Sequence, residues 1–419
     1  MESFTTQKFY PLRPIQRWLV DTHFNKAKST MMNIGVLLKM SASIDMYRLA
    51  SALNQVLHSH DIFRCRFLFH PETSYLCQIF DGEITPVQVE TLSDEEFSAR
   101  MEKLREPYRI INKQLWRIYL FQTPTSKYMF ADFYHAVMDG VSASILLWRE
   151  IDAVYRGRRR ELPTPSYADY VEEEANIPSE VLEEGHKYWK DMLSHFDKRR
   201  HLPPVNVQGV AAWTKGSIEY RLKNIFNEFF RTTHINENNF FLGATMLTLA
   251  KITGNKDVIM SRVNNGRVNM KERRLMGLML EQLPCAWDFS QDIMISEFLD
   301  KLEGQIRTGT RYRKSLDVVY NEGLEDDCVI FIFQKQINNG FVFCDTPVEI
   351  VYLPPNDISA VENALDVEIN TEDTGTYLLF LDYDASRYSE DEMNKFAKTL
   401  DEVVRAMQNT SLHVSQILG

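Results

Sequence analysis

Strand-like and helix-like periodicities alternate along almost the whole chain, and this alternation restricts the fold more than any other feature. From Met46 to His60 apolar residues recur at helical spacing, at Met46, Leu49, Leu53, Val56 and Leu57. The pattern then switches to a period of two. Phe63, Cys65, Phe67 and Phe69 are predicted on one face of a strand, with Arg64, Arg66 and Leu68 on the other. Trp116 to Phe121 and Tyr128 to His135 read as two more strands, joined by a turn at Pro124-Thr125-Ser126. A helix follows from about Ser142 to Tyr155, with Leu147, Ile151, Val154 and Tyr155 on one face. Beyond residue 200 the same mixture returns. Ser217 to Leu222 is strand-like, Asn238 to Thr253 is a helix capped by Asn236, and Val258 to Val263 is strand-like again. Val329 to Phe333, Tyr377 to Tyr383 and an amphipathic helix from Ser389 to Met407 complete the series. The pattern predicts an α/β fold in two halves.

A chain of 419 residues exceeds one ordinary core and suggests about two or three domains. A loop rich in Arg and Pro at 157–165, a charged helix anchored by Tyr188, Trp189, Met192 and Leu193, and Pro203-Pro204 place a boundary near residues 170–200. We therefore expect an N-terminal lobe over 1–180 and a C-terminal lobe over 181–419.

Charge narrows the function classes. A formal net charge of −11 disfavours nucleic acid as a partner, because phosphate binding needs a concentrated basic surface. Two short basic runs, Arg156 to Arg160 and Lys198 to His201, are read as solvated loops, with a docking patch for an acidic protein as the functional alternative. The N-terminus has no basic segment followed by an apolar run, and no apolar stretch approaches the roughly 20 residues of a membrane span. The five cysteines (Cys65, Cys77, Cys285, Cys328, Cys344) are scattered without CxxC pairing, which predicts a reducing, cytoplasmic setting and no zinc site. His58, His60 and His70 lack the spacing and carboxylate company of a metal cluster.

The chemistry is concentrated in Phe133-Tyr134-His135-Ala136-Val137-Met138-Asp139-Gly140-Val141-Ser142. His135 shares strand parity with Met129, Ala131 and Phe133 and so projects from the apolar face where the strand ends. Imidazole is the side chain best matched to proton transfer near neutral pH, making His135 a candidate general base. Gly140 permits a tight turn and close approach of backbone N–H groups to a substrate oxygen. No glycine-rich phosphate loop or GxSxG elbow is present, so any acyl group must arrive already activated.

With these residues in view, the chain resembles the condensation domains of nonribosomal peptide synthetases. Tyr10 to Gln16 looks like the family's opening motif, and His60 to Phe67 is similar to its Arg-x-Arg-Phe strand. Tyr134 to Gly140 matches the HHxxxDG core with Tyr134 in place of the first His. Leu162 to Tyr170 with Tyr188-Trp189, Asp257 to Arg267 and Gly277 to Asp288 fit further landmarks. The resemblance implies two chloramphenicol-acetyltransferase-like lobes in a V-shaped pseudo-dimer with a central channel, acting as a monomer. It implies acyl transfer from the phosphopantetheine of an acyl- or peptidyl-carrier protein to a small amine or alcohol, with no bound cofactor or metal.

Residue by residue, the resemblance makes His135 the functional His, Asp139 the carboxylate that holds the loop through an arginine, and Gly140 an aid to the oxyanion. Arg64 is the expected partner of Asp139, with Arg66 as the alternative. Ser142 is expected to cap the helix, with substrate contact as its other reading. Tyr134 and Glu281 are candidate channel residues: Glu281 either attracts a cationic amine or is paired internally. The family's Arg- and Ser-rich motif is replaced by Glu322 to Asp327. Two rivals remain: an alcohol O-acyltransferase using coenzyme A, whose Asp-Phe-Gly-Trp-Gly motif is lacking, and a non-catalytic carrier-binding module.

Overall fold

The computed structural model describes residues 7–158, 163–195, 202–223, 227–321, 329–335, 341–351, 353, 361, 363–371 and 376–419. The basic run Lys198 to His201, most of Arg158 to Arg160 and the segment Glu322 to Asp327 lie outside them. The chain forms two compact units. One comprises Met1–Ile177, Asn265–Leu280 and Gly340–Ser359; the other comprises Pro178–Asn264, Glu281–Asn339 and Ala360–Gly419. The expectation of two contiguous lobes is corrected here. The chain changes unit after Ile177 but returns to the first unit twice, through contacts that local periodicity does not encode.

The first unit is built on a six-stranded sheet ordered Phe341–Phe343, Thr346–Val351, Asn33–Met40, Lys127–Tyr134, Trp116–Gln122 and Val89–Thr91. Thr346–Val351 joins from far along the chain, setting Glu349 opposite Lys39 and Val351 opposite Leu37. The helix Met46–Ser59 begins at Asp45, whose carboxylate accepts from the N–H groups of Tyr47 and Arg48 at 2.9 and 3.1 Å. Its buried face is the one the spacing predicts: Met46, Leu49, Leu53, Val56 and Leu57. A smaller sheet pairs Tyr10–Pro11, Leu76–Ile79 and Arg66–Phe69. Here the predicted strand starts late, because Asp61–Arg64 forms a 3₁₀ turn. That turn aims the Asp61 carboxylate at Ser166, Tyr167 and Ala168, where it caps the helix Tyr167–Ala175. Phe69, expected inside, is 54% exposed.

The second unit has its own six-stranded sheet, ordered Glu281–Asp288, Asp257–Asn264, Val329–Lys335, Leu365–Thr371, Tyr377–Asp384 and Lys215–Leu222. The helix Glu237–Thr253 is capped by Asn236 and buried on nearly every side from Asn239 to Ala250, a largely apolar run in which Thr245 and Thr248 donate to the Phe241 and Ala244 carbonyls. The helix Glu390–Met407 starts with a reciprocal cap between Ser389 and Glu392. No helix among the described residues is long and apolar enough to cross a membrane.

One strain lies inside the first sheet. Asp132, on Lys127–Tyr134, is fully buried; Asn33 and Arg117 donate to its Oδ2 at 2.8 and 3.3 Å, while Oδ1 has no partner. Burial pushes its carboxyl up to about 6, with Arg117 and Asn33 working against the rise. A carboxyl raised on folding stabilises the protein below its unfolded pKa, and that contribution is lost as pH rises through the folded pKa. Denaturant titrations should therefore show Asp132→Asn gaining up to roughly 3 kcal/mol on the wild type between pH 4 and pH 8. A difference that stays constant over this range would contradict the assignment.

Candidate active site

The strand Lys127–Tyr134 lies between Asn33–Met40 and Trp116–Gln122, and its ladder continues one step past its end. Tyr134 N–H donates to the Leu115 carbonyl at 2.9 Å and His135 N–H to the Met32 carbonyl at 2.9 Å. Val137 N–H then closes a turn onto the Tyr134 carbonyl at 3.0 Å. The backbone of His135 is thus fixed on both sides. Its ring is half-buried, with Nδ1 sealed from solvent and without a hydrogen-bond partner. Nε2 is not sealed in this way.

Four residues on, Asp139 starts the next helix. Its carbonyl accepts from Ala143 N–H at 2.9 Å and its Oδ1 from Ser142 N–H at 2.8 Å, so Asp139 is itself the cap. The same buried carboxylate meets Arg267 in a two-pronged pair, Nη1 to Oδ2 at 2.8 Å and Nη2 to Oδ1 at 3.1 Å. Met279 and Leu280 N–H add bonds to Oδ2 at 2.8 and 3.2 Å. Burial alone would raise the Asp139 carboxyl. The Arg267 guanidinium and the N–H groups of Ser142 and Met279 outweigh it and hold the group below its ordinary value. Asp139 stays ionised and structural; it is not a proton donor.

Arg64 and Arg66 are therefore not the partners of Asp139. Arg64 sits on the 3₁₀ turn and donates to the His58 carbonyl at 3.0 Å; Arg66 reaches Asn112 at 3.4 Å. Arg267 reaches the site because its segment folds back on itself at two glycines. Gly266 has φ +67°, and a Cβ there would overlap the Met279 carbonyl; Gly277 has φ +146°, and a Cβ would enter the Tyr167 ring. These contacts align Met279 N–H with Asp139. The Asn265-Gly266-Arg267 triplet was the available signal: an arginine directly after a glycine of required left-handed backbone.

Other candidates are relocated. Ser142 is fully buried and neither caps the helix nor faces substrate. It donates to the Gly277 carbonyl at 2.8 Å and accepts from Gly277 N–H at 3.0 Å and Arg267 Nη2 at 2.7 Å, which uses its hydroxyl completely. Gly140 is not left-handed, so the turn does not demand it; a Cβ there would point into open space. The N–H groups at this helix start belong to the first turn. Downstream, Ser142–Leu146 is a π-helical turn before the α-helix Leu147–Tyr155. Tyr134 is a core residue rather than a channel residue, packed edge-on against His23 at 5.3 Å and near Phe67 and Tyr108. Glu281, in the second unit, is buried and paired with Lys314 at 3.5 Å and Arg313 at 3.8 Å, the internally paired outcome. Its charge is already neutralised, which removes the case for attracting an amine. Of the basic run at 156–160, Arg156 is held by Asp152 and Asp345 at 2.9 and 2.7 Å. Buried His60 pairs with Glu150 at 2.8 Å, joining two helices. Among the described residues no cluster of His, Cys, Asp and Glu could hold a metal.

A family model described as Condensation domain matches residues 6–418. The chain belongs to the condensation-domain family. A plipastatin synthase of Bacillus subtilis (strain 168) is 21% identical over 416 residues, covering 93% of this chain and 16% of that protein. Surfactin synthase subunit 2 of the same organism is 23% identical over 306 residues, covering 70% of this chain and 8% of that protein. The chain thus spans a small fraction of the curated relatives it matches. The solved condensation domain from the monacolin K polyketide synthase MokA superposes with a TM-score of 0.80 at 19% identity, covering 97% of this chain and 99% of that one. The fold is accordingly the chloramphenicol-acetyltransferase-like α/β fold of condensation domains.

The geometry separates the arginines. Arg267→Met leaves the buried Asp139 without a counter-charge and should cost roughly 3–5 kcal/mol in urea denaturation. Arg64→Ala and Arg66→Ala should each cost under about 1 kcal/mol. Equal losses for the three would overturn this assignment.

Proposed function

We propose that this chain is an acyl-transfer domain that joins an acyl group, carried as a thioester on the phosphopantetheine arm of a carrier protein, to an amine. The observation that carries the reading is an intact HxxxDG loop whose histidine keeps one ring nitrogen unsealed, while its aspartate is fully committed to structure. Membership in the condensation-domain family supports carrier-bound substrates, and its curated relatives include plipastatin and surfactin synthases, a hybrid PKS-NRPS synthetase and polyketide synthases.

In this reading a neutral amine attacks the thioester carbonyl carbon, forming the C–N bond and a tetrahedral oxyanion. His135 Nε2 accepts the amine proton as that bond forms and returns it to the sulfur as the C–S bond breaks, releasing the thiol. Open space at Gly140 lets the acyl carbonyl approach the first-turn N–H groups, which favour negative charge on its oxygen. Transfer is direct, because the Ser142 hydroxyl, the nearest candidate nucleophile in the motif, is consumed by Gly277 and Arg267.

With a cognate loaded carrier and amine, followed by intact mass, His135→Ala should lose about 10²–10⁴-fold in single-turnover rate. Full retention by that variant would refute the role of His135. Transfer only to alcohols would replace the amide-forming reading with the ester-forming one, and no transfer by the wild type with any loaded carrier would favour a binding module.

A further inference from the structure

The opening motif has a function that its position in the chain does not suggest. Gln16 lies on the helix Pro14–Asn25 and is fully buried. Its Nε2 donates to the carbonyl of Ala136, the residue after His135, at 2.9 Å and to Gln78 Oε1 at 3.2 Å. Its Oε1 accepts from Arg13 N–H at 3.0 Å and from Gln78 Nε2 at 2.9 Å. Gln78, also fully buried, donates in addition to the Pro11 carbonyl at 2.9 Å. Every hydrogen-bonding site of the Gln16 amide is occupied. Its orientation is forced, since the Ala136 carbonyl can only accept and the Arg13 N–H can only donate.

We propose that Gln16 is the positioning residue for His135. The His135 N–H is tied to the Met32 carbonyl just before the neighbouring strand and the Tyr134 carbonyl to Val137, and the Ala136 carbonyl adds an anchor from the helix Pro14–Asn25. The ring itself has no orienting partner, because Nδ1 is buried without one. Its aim must come from the backbone, and Gln16 supplies the side-chain hold on that backbone. Removing that hold displaces Nε2 without removing any group that touches substrate. This rests on the acyl-transfer reading for its kinetic readout, not for its structural one.

The test is Gln16→Glu, which preserves shape and the bonds to Arg13 and Gln78 Nε2. Ionised, it donates neither to the Ala136 carbonyl nor to Gln78 Oε1; protonated, its single O–H can serve the Ala136 carbonyl. Burial raises a carboxyl pKa, so the variant's rate should fall as pH rises through that pKa, a titration the wild type lacks. Above it, kcat should drop about 10–100-fold while KM for the acceptor changes less than about twofold. In parallel, the His135 ring resonance, assigned by its loss in His135→Ala, should shift with the same pH midpoint. Gln16→Met, uncharged and of similar volume, should show the kcat loss and the altered resonance at every pH, and it decides the matter if the carboxylate prevents folding. Wild-type kcat and an unmoved His135 resonance in both variants would overturn the proposal. A wild type without transfer activity would sink the acyl-transfer reading alone, leaving the resonance to decide the role of Gln16.

Discussion

A carboxylate with no access to water is costly unless its charge is matched and its lone pairs are filled, and Asp139 meets both conditions through one segment of chain. Arg267 neutralises it, Met279 and Leu280 donate to it, and Ser142 N–H completes the set. The segment 265–280 is pinned in turn at the Leu278 carbonyl, which accepts from Arg13 Nη1 at 2.6 Å and from Tyr167 at 2.8 Å. The helix start after His135 is therefore defined by residues more than a hundred positions away. The loop cannot relax locally without exposing a buried charge, which gives the histidine a rigid base.

Two different kinds of bond converge on the motif. Ion pairing and backbone donors secure its C-terminal end at Asp139, and neutral amides secure its N-terminal end through Gln16 and Gln78. His135 directly precedes the residue that Gln16 holds, with its Nδ1 sealed. In the proposed proton transfer this division matters, since the charged groups that fix the loop are saturated and would not compete for the proton. The arrangement also explains why a tyrosine can replace the first histidine of the family pattern. Tyr134 points into the aromatic core with His23, Phe67 and Tyr108.

What was legible in the sequence followed local rules. The helix Glu237–Thr253 with its Asn236 cap, the amphipathic helix Glu390–Met407, the strand Lys127–Tyr134 and the placement of His135 just past its end each depend on neighbours within a few residues. What was not legible depended on distant ones. Arg64 and Arg66 were nearer in the chain than Arg267, but a 3₁₀ turn and a facing Asn112 took them elsewhere. The strand Thr346–Val351 joins the first unit although nothing in its composition distinguishes it from the strands of the second. Glu281 was open to two readings and is internally paired, because Arg313 and Lys314 come from a helix end some thirty residues on.

The dependence of the site on the Asp139–Arg267 pair is most directly measured by a double-mutant cycle on single-turnover acyl transfer, using Asp139→Asn, Arg267→Gln and both together. Each single change strands one buried charge, whereas the double change leaves two neutral groups able to bond each other. The double variant should accordingly be faster than at least one of the singles, with a coupling of about 1–3 kcal/mol. Strictly additive losses would show that the two residues act separately and that the pair does not hold the loop that carries His135.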